Sequence, residues 1–170
     1  DSVNHVINVT VSSVGGGIVW TGTNSISPNL WDLNTTSNWL TGGLPTDYIE
    51  NVPPGDAVTF NDRGSGEVLL SNTVSPASVT ISNASVAYTF DGTGEIHSLG
   101  GLTKVGPAAV TFNVPGIFSG STVVSNGAVN LGADQTFANL SGDSAVTVVS
   151  GSPTLTINDS HNTTFAGAIS

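Results

Sequence analysis

The chain has 170 residues, a formal net charge of −10 and only two basic side chains, Arg63 and Lys104. Proteins that bind nucleic acid or anionic membrane surfaces need several lysines or arginines on one face, so neither partner is expected. Cysteine is absent and no apolar run reaches the ~18 residues of a spanning helix, which excludes a disulfide framework and a transmembrane helix.

Residues 1–54 are predicted to form an N-terminal strand followed by a tryptophan-rich cap. The alternating run from His5 to Val14 is typical of a single strand. All three tryptophans of the chain then fall between Trp20 and Tyr48, where they are interleaved with short polar side chains. This segment is the richest in candidate functional residues.

The aromatic residues of the cap allow two interpretations. In the first, an exposed face binds a neutral polysaccharide, because sugar rings stack on indole and phenol rings while carboxylates and amides hydrogen-bond the hydroxyl groups. The predicted carbohydrate-binding residues are Trp31, Trp39, Tyr48, Asp32 and Asn34. In the second interpretation, the tryptophans plug the open apolar end of a stack of strands.

From Gly55 onward, an apolar-Thr-apolar triplet recurs at irregular multiples of roughly 20 to 25 residues, a spacing typical of solenoids. The triplets are Val58-Thr-Phe, Val79-Thr-Ile, Val110-Thr-Phe and Leu155-Thr-Ile. They predict that residues 55–170 form about five to seven coils, with the apolar residues inside and the threonines outside. An antiparallel sandwich is the alternative, but matched two-residue hairpin signals between strands of equal length are lacking.

Glycine cuts the segment 102–132 into short strands rich in Val, Thr and Phe. Its elements include Leu102-Thr-Lys-Val-Gly, Val110-Thr-Phe, Phe118-Ser-Gly-Ser-Thr and Asn126-Gly-Ala-Val-Asn-Leu-Gly. They resemble the autotransporter-associated β-strand repeat of long secreted bacterial surface proteins. The resemblance implies an all-β fold, a right-handed parallel β-helix.

Two further motifs resemble the opening module that precedes such repeats. One is the pair Trp31-Asp and Asn38-Trp, separated by five residues, and the other is Gly55-Asp-Ala-Val-Thr-Phe. The resemblance implies a secreted or cell-surface location in a bacterium. The chain lacks an initial methionine and ends in the middle of the repeat pattern, so we expect a segment that is linked to further domains. We expect this segment to be a monomer.

Catalysis has no positive support in the sequence. The acidic pairs are Asp56 with Asp62, Asp62 with Glu67, and Asp91 with Glu95. Each pair lies at turns or strand edges, where carboxylates are favoured for local backbone bonding. The histidines show no zinc-ligand spacing, and no Gly-x-Ser-x-Gly motif is present. We therefore expect a protein that is not an enzyme.

Calcium and ice are two further candidate ligands. Calcium prefers oxygen ligands, and Asn61, Asp62 and Glu67 supply them, although their spacing matches no calcium loop; no other cofactor is expected. Ice binding by a threonine ladder would require four outward threonines to align, namely Thr59, Thr80, Thr111 and Thr156.

The sequence thus predicts a non-catalytic carbohydrate-binding module that recognises xylan, cellulose or another neutral β-glycan through exposed aromatic side chains. The alternative is a stalk or adhesin passenger segment of a secreted bacterial surface protein. Fold-level resemblance does not decide between the two, because one fold hosts many functions.

Overall fold

The computed structural model describes residues 17–143, 147–150, 152–159 and 162–170. Within these ranges the chain is all-β, and its parallel strands stack as a β-solenoid of about five turns. This confirms the predicted parallel β-helix with an N-terminal cap. The strand predicted at residues 5–14 lies outside the described residues.

Each turn of the solenoid has up to three faces, which we call A, B and C. Face A contains β1 (Ile18–Trp20), β5 (Val58–Asn61), β7 (Val79–Ser82), β10 (Leu102–Val105) and the second halves of β12 (Gly116–Val124) and β14 (Gln135–Gly142). Face B contains β2 (Leu30–Trp31), β6 (Glu67–Leu70), β8 (Tyr88–Gly92), β11 (Val110–Phe112), β13 (Ala128–Leu131), β15 (Thr147–Ser150) and β17 (Ala168–Ile169). Face C contains β9 (Ile96–Ser98), the first halves of β12 and β14, and β16 (Leu155–Ile157).

The alternation of residues along β5 shows why these segments form half-buried strands. Val58 and Phe60 are buried, whereas Thr59 between them is partly exposed, as expected for side chains that point to opposite sides of a strand. Thr59 pairs with Thr80, and Thr80 pairs with Thr103, so one column of threonines follows the outside of face A. The predicted placement of apolar residues inside and threonine outside is confirmed here.

The threonines required for an ice-binding ladder do not align. Thr59 and Thr80 lie on face A, but Thr111 lies on face B and Thr156 on face C. The apolar-Thr-apolar triplet occurs on different faces of one turn as well as on the same face of successive turns. The spacing of the triplets in the sequence does not distinguish these two cases. The four-threonine ladder is therefore not formed.

The interior of the solenoid is filled by branched aliphatic side chains and a run of phenylalanines. The rings of Phe90 and Phe112 stack with centroids 4.9 Å apart, and Phe118 continues the run at 5.9 Å from Phe112. Phe137 follows at 5.6 Å from Phe118. Aromatic pairs at such separations add to the stabilisation by buried area, so the core links successive turns along the axis.

The N-terminal end is closed by an antiparallel hairpin that the sequence analysis missed. It consists of β3 (Trp39–Thr41) and β4 (Leu44–Thr46), and β3 pairs with β1. Gly42 and Gly43 form its two-residue turn with φ values of 56° and 85°, the left-handed conformation that tight hairpins require. Pro45 lies in the edge strand β4, where its lack of an N–H discourages pairing with another chain.

Residues that precede position 55 also contribute strands to the solenoid. Strands β1 and β2 pair in parallel with β5 and β6, so they form the first turn of the solenoid although they precede residue 55. The hairpin is an insertion between β2 and β5. Residues 17–54 therefore supply both the first rungs and their cover.

Candidate functional site

The aromatic residues of the cap form one buried cluster around Phe60. Trp31 makes edge-on contacts with Trp39 and Tyr48, with ring centroids 5.2 Å and 5.4 Å apart, and lies 5.6 Å from Phe60. Trp20 contacts Trp39 at 4.9 Å. We call Trp20, Trp31, Trp39 and Tyr48 the aromatic plug, because they cover the first ring of the solenoid core.

The prediction that Trp31, Trp39 and Tyr48 form an exposed sugar-binding face is wrong. Their side chains are 0%, 1% and 0% exposed. The open end of a strand stack presents a large apolar cross-section, and these rings cover it. The plug interpretation is confirmed for all three tryptophans.

No other exposed aromatic ring replaces this face in the described residues, which include every aromatic residue of the chain. Both tyrosines and five of the six phenylalanines are buried, and Phe165 is partly buried. Glycan recognition by ring stacking requires an accessible ring. The folded surface therefore offers no complete aromatic platform to a polysaccharide.

The two polar residues predicted for the sugar site instead stabilise loops. The Asp32 carboxylate accepts hydrogen bonds from the backbone N–H and the hydroxyl of Thr36, at 3.0 Å and 2.7 Å. Asn34 has a φ of 55° and accepts a bond from the Glu50 N–H at 2.9 Å through Oδ1. Asparagine tolerates this left-handed conformation better than most residues, so the position has a structural reason.

Asn38 is the polar residue that organises the cap. It is fully buried, its Nδ2 donates to the carbonyl oxygens of Ser27 and Leu30 at 2.8 Å and 2.9 Å, and its Oδ1 accepts from the Asn24 N–H at 2.7 Å. A buried amide with this number of partners fixes the path of the chain around it. Its place in the Asn-Trp motif was the available sequence signal.

Tyr48 and Glu50 connect the aromatic plug to face C. The Tyr48 hydroxyl donates to Glu50 Oε2 at 2.6 Å, and the same oxygen accepts from the Ser75 N–H at 2.6 Å. Burial, followed by the bond to Glu50, raises the pKa of Tyr48 far above its ordinary value. Burial also raises the pKa of Asp56, which accepts a bond from the Ile49 N–H. These carboxylates are engaged in holding a loop.

The candidate calcium ligands are each engaged with a different protein partner. The Asp62 carboxylate accepts bonds from the N–H groups of three consecutive residues in the next turn, Ala84, Ser85 and Val86, at 2.9 to 3.0 Å. These bonds, led by that from Ser85, lower the pKa of Asp62. Asn61 Oδ1 accepts from the Arg63 N–H, and Glu67 from Asn29 Nδ2. The Asp62 carboxylate therefore links two adjacent turns of the solenoid.

Other acidic residues are similarly occupied. Asp91 accepts from the Gly92 N–H at 2.7 Å and from Asn113 Nδ2 at 3.2 Å, whereas Glu95 pairs with His97 at 2.9 Å. Among the residues that the structure describes, no group of three His, Asp or Glu side chains is arranged to hold a metal ion.

Lys104 is the least expected residue of the interior. It occupies an inward position of β10, between Ile81 of β7 and Val124 of β12, and is fully buried. Its Nζ donates to the carbonyl oxygens of Gly106 at 2.5 Å and Asn126 at 3.2 Å. Burial lowers its pKa from 10.5 to about 8, because the charged form loses hydration.

Comparison with protein-family models, curated proteins and solved structures gave no match at the level of significance applied. The resemblance to the autotransporter-associated repeat therefore stays a prediction from the residues quoted above. In the described part of the chain, no helix has the length and apolar character needed to cross a bilayer.

Proposed function

We propose that this chain is a structural segment, a stalk or adhesin spacer of a secreted bacterial surface protein, and that it has no catalytic activity. The observation that carries the proposal is the burial of the aromatic plug. The residues best suited to bind a neutral glycan are used to close the end of the solenoid. A spacer needs a closed end and a uniform, inert side wall.

The side wall supports this role. Its outward columns combine small hydroxyl and amide side chains, such as Thr59, Thr80 and Thr103 on face A and Thr111 with Asn130 on face B. Asn130 Nδ2 donates to Thr111 Oγ1 at 3.3 Å, which links adjacent turns on the outer surface. A solenoid whose turns contact only their neighbours adds length turn by turn.

The stabilising contacts also suit an extracellular setting. Successive turns are joined by strand hydrogen bonds, by Asp62 and by the internal phenylalanines. None of these requires a disulfide or a bound metal. These contacts are compatible with the bacterial cell surface or medium, the location that we propose, as part of a larger protein, from the resemblance to the autotransporter-associated repeat.

Affinity electrophoresis distinguishes the spacer from a polysaccharide-binding module. The purified chain is run in gels containing xylan, cellulose derivatives, mannan or β-glucan, beside a gel without glycan. A spacer migrates equally in all gels. Retention in any of them contradicts the proposal.

A positive test measures the spacer's length and stiffness. Because the chain has no cysteine, Ile26→Cys and Ile169→Cys introduce two unique dye positions at exposed residues of the first and last turns. On face B, six inter-strand steps lead from β2, beside Ile26, to β17, which contains Ile169, and at ~4.8 Å each they give an axial rise of roughly 29 Å. A narrow distance distribution supports a rigid spacer, whereas a broad one contradicts it.

A further inference from the structure

The exposed corner between β12 and β13 combines a reactive sequence with a buried cation. Asn126 is exposed, and its Oδ1 accepts a hydrogen bond from the Gly127 N–H at 2.8 Å. The carbon bonded to that oxygen, Cγ, therefore lies beside the backbone nitrogen of the following residue. Three atoms, Asn126 Cβ, Cα and the carbonyl carbon, link Cγ to the Gly127 nitrogen, so a bond between these two ends closes a five-membered ring.

Lys104 contacts the same peptide group from inside the solenoid. Its Nζ donates to the Asn126 carbonyl oxygen at 3.2 Å, which belongs to the peptide bond whose nitrogen is that of Gly127. When a peptide nitrogen loses its proton, the negative charge is shared with the carbonyl oxygen. A buried ammonium on that oxygen stabilises the charge in a water-poor environment.

We propose that Asn126–Gly127 is a built-in site of spontaneous deamidation, in which the buried Lys104 ammonium activates the backbone nitrogen that attacks the asparagine side chain. The proposal is independent of the spacer function. It assigns to the corner a slow covalent change that needs only water as co-reactant.

The reaction proceeds in two balanced steps. The Gly127 nitrogen gives its proton to hydroxide and attacks Asn126 Cγ; the new N–C bond closes a succinimide, and the side-chain nitrogen leaves with a proton from water as ammonia. Water then opens the ring. Opening at the side-chain carbonyl gives aspartate at position 126, and opening at the backbone carbonyl gives isoaspartate, with one extra methylene in the main chain.

The backbone conformation at position 127 requires the glycine on which this chemistry depends. Gly127 has a φ of 77°, and a Cβ atom there would lie 2.7 Å from the Gly106 carbonyl oxygen and 3.0 Å from Lys104 Nζ. A side chain would be strained at this position. Glycine also leaves its own nitrogen unhindered. A substitution of Gly127 by a bulkier residue would slow the attack on Asn126, but it would also strain the backbone at this corner.

The experiment compares deamidation in the folded and unfolded chain. The protein is incubated near neutral pH, below the pKa of about 8 at which Lys104 loses its charge, with and without denaturing urea. Peptide mapping quantifies aspartate and isoaspartate at position 126 together with released ammonia. We expect the folded chain to react at least as fast as the unfolded one, because the nitrogen and Cγ are already close. Reaction confined to the unfolded chain would overturn the proposal.

Lys104→Met tests the role of the ammonium. In the folded state, this variant should deamidate roughly threefold to tenfold more slowly than the wild type, since one charge-stabilising donor is lost; in urea the two should react equally. Equal rates in the folded state refute the activation. The Asp91–Gly92 peptide is the internal control, because its Gly92 N–H donates to Asp91 Oδ1 at 2.7 Å in the same way. It should form a succinimide more slowly, because a carboxylate is a poorer electrophile than a side-chain amide.

The wild type alone provides a second test that does not depend on a variant's folding. The strands on either side of Lys104, β7 and β12, face it with Ile81 and Val124, so no charged side chain on them shares its position. The lowered pKa of Lys104, about 8, therefore predicts that the folded rate rises with hydroxide at lower pH and flattens above about pH 8. A folded profile that follows hydroxide throughout, like the unfolded chain, contradicts the proposal.

Discussion

Replacing Trp31 with alanine is expected to destabilise the N-terminal end of the solenoid without removing a binding surface. The indole is fully buried and contacts Trp39, Tyr48 and Phe60 at centroid distances of 5.2 to 5.6 Å. Truncation removes these contacts and leaves a cavity that the rigid first turn cannot close. The hairpin β3–β4, which packs through Trp39, then loses part of its support.

The size of the effect follows from comparable core truncations. A buried tryptophan or phenylalanine replaced by alanine costs about 3 to 5 kcal/mol, against a total stability of about 5 to 15 kcal/mol for a typical protein. For a chain of this length, about 4 kcal/mol corresponds to a fall in melting temperature of roughly 8 to 16 °C. Because turns contact mainly their neighbours, we expect the first turns to unfold before the rest.

Two control variants isolate the cause. Trp31→Phe retains an aromatic ring in the plug and removes only part of the indole, including an N–H that donates to no acceptor among the described protein groups, so its melting temperature should fall clearly less. Ile26→Ala changes a side chain that is 89% exposed, and its stability should stay within about 0.5 kcal/mol of the wild type. Thermal and urea unfolding followed by circular dichroism provide the comparison. A Trp31→Ala protein as stable as Ile26→Ala would refute the plug.

The remaining predictions concern the ties between turns. The wild type should gain stability as the pH rises from about 8, the folded pKa of Lys104, to about 9, which lies below the unperturbed tyrosine pKa of 10.0. In this window the unfolded chain binds more protons, because the unfolded lysine has a pKa of 10.5; urea midpoints of Lys104→Met should lack this rise. Asp62→Ala should lower the urea midpoint more than Asp134→Ala, since Asp62 accepts from three backbone N–H groups and Asp134 from that of Thr154. The Asp62 contribution should be present above pH 3.8, its unperturbed pKa, and be lost as the pH falls through the lowered folded value; an equal effect of both variants at neutral pH would contradict it. Gly92→Ala should unfold at a much lower temperature than Gly42→Ala, because a Cβ at Gly92 overlaps the Leu70 carbonyl oxygen whereas Gly42 has open space.

The periodicity of the sequence predicted the strands of the coils well, because successive side chains of a strand point alternately into the solenoid and out of it. The triplet Val58-Thr-Phe places its apolar residues inside, and β12, β13 and β16 lie where the Val-, Thr- and Phe-rich runs indicated. Lys104 obeys the same alternation, two residues after the inward Leu102. A lysine is rarely buried without a partner, but here backbone carbonyl oxygens accept hydrogen bonds from the ammonium inside the solenoid.

The cap could not be derived in the same way. Trp31 and Trp39 lie in a segment without strand periodicity, and a tryptophan beside short polar residues is typical both of sugar platforms and of end plugs. Which of the two forms depends on the hairpin folding back over β1, a contact between separate elements. Thr41-Gly-Gly-Leu was the local signal for that hairpin, and it was overlooked.

Tryptophan fluorescence tests the central claim most directly, because Trp20, Trp31 and Trp39 are the only tryptophans and all belong to the plug. The native protein should emit at blue-shifted wavelengths, resist quenching by acrylamide until urea unfolds it, and show no change when xylan or cellulose oligosaccharides are added. Solvent-like emission with rapid quenching in the native state, or a spectral shift on addition of a glycan, would contradict a buried plug and restore the exposed sugar-binding face.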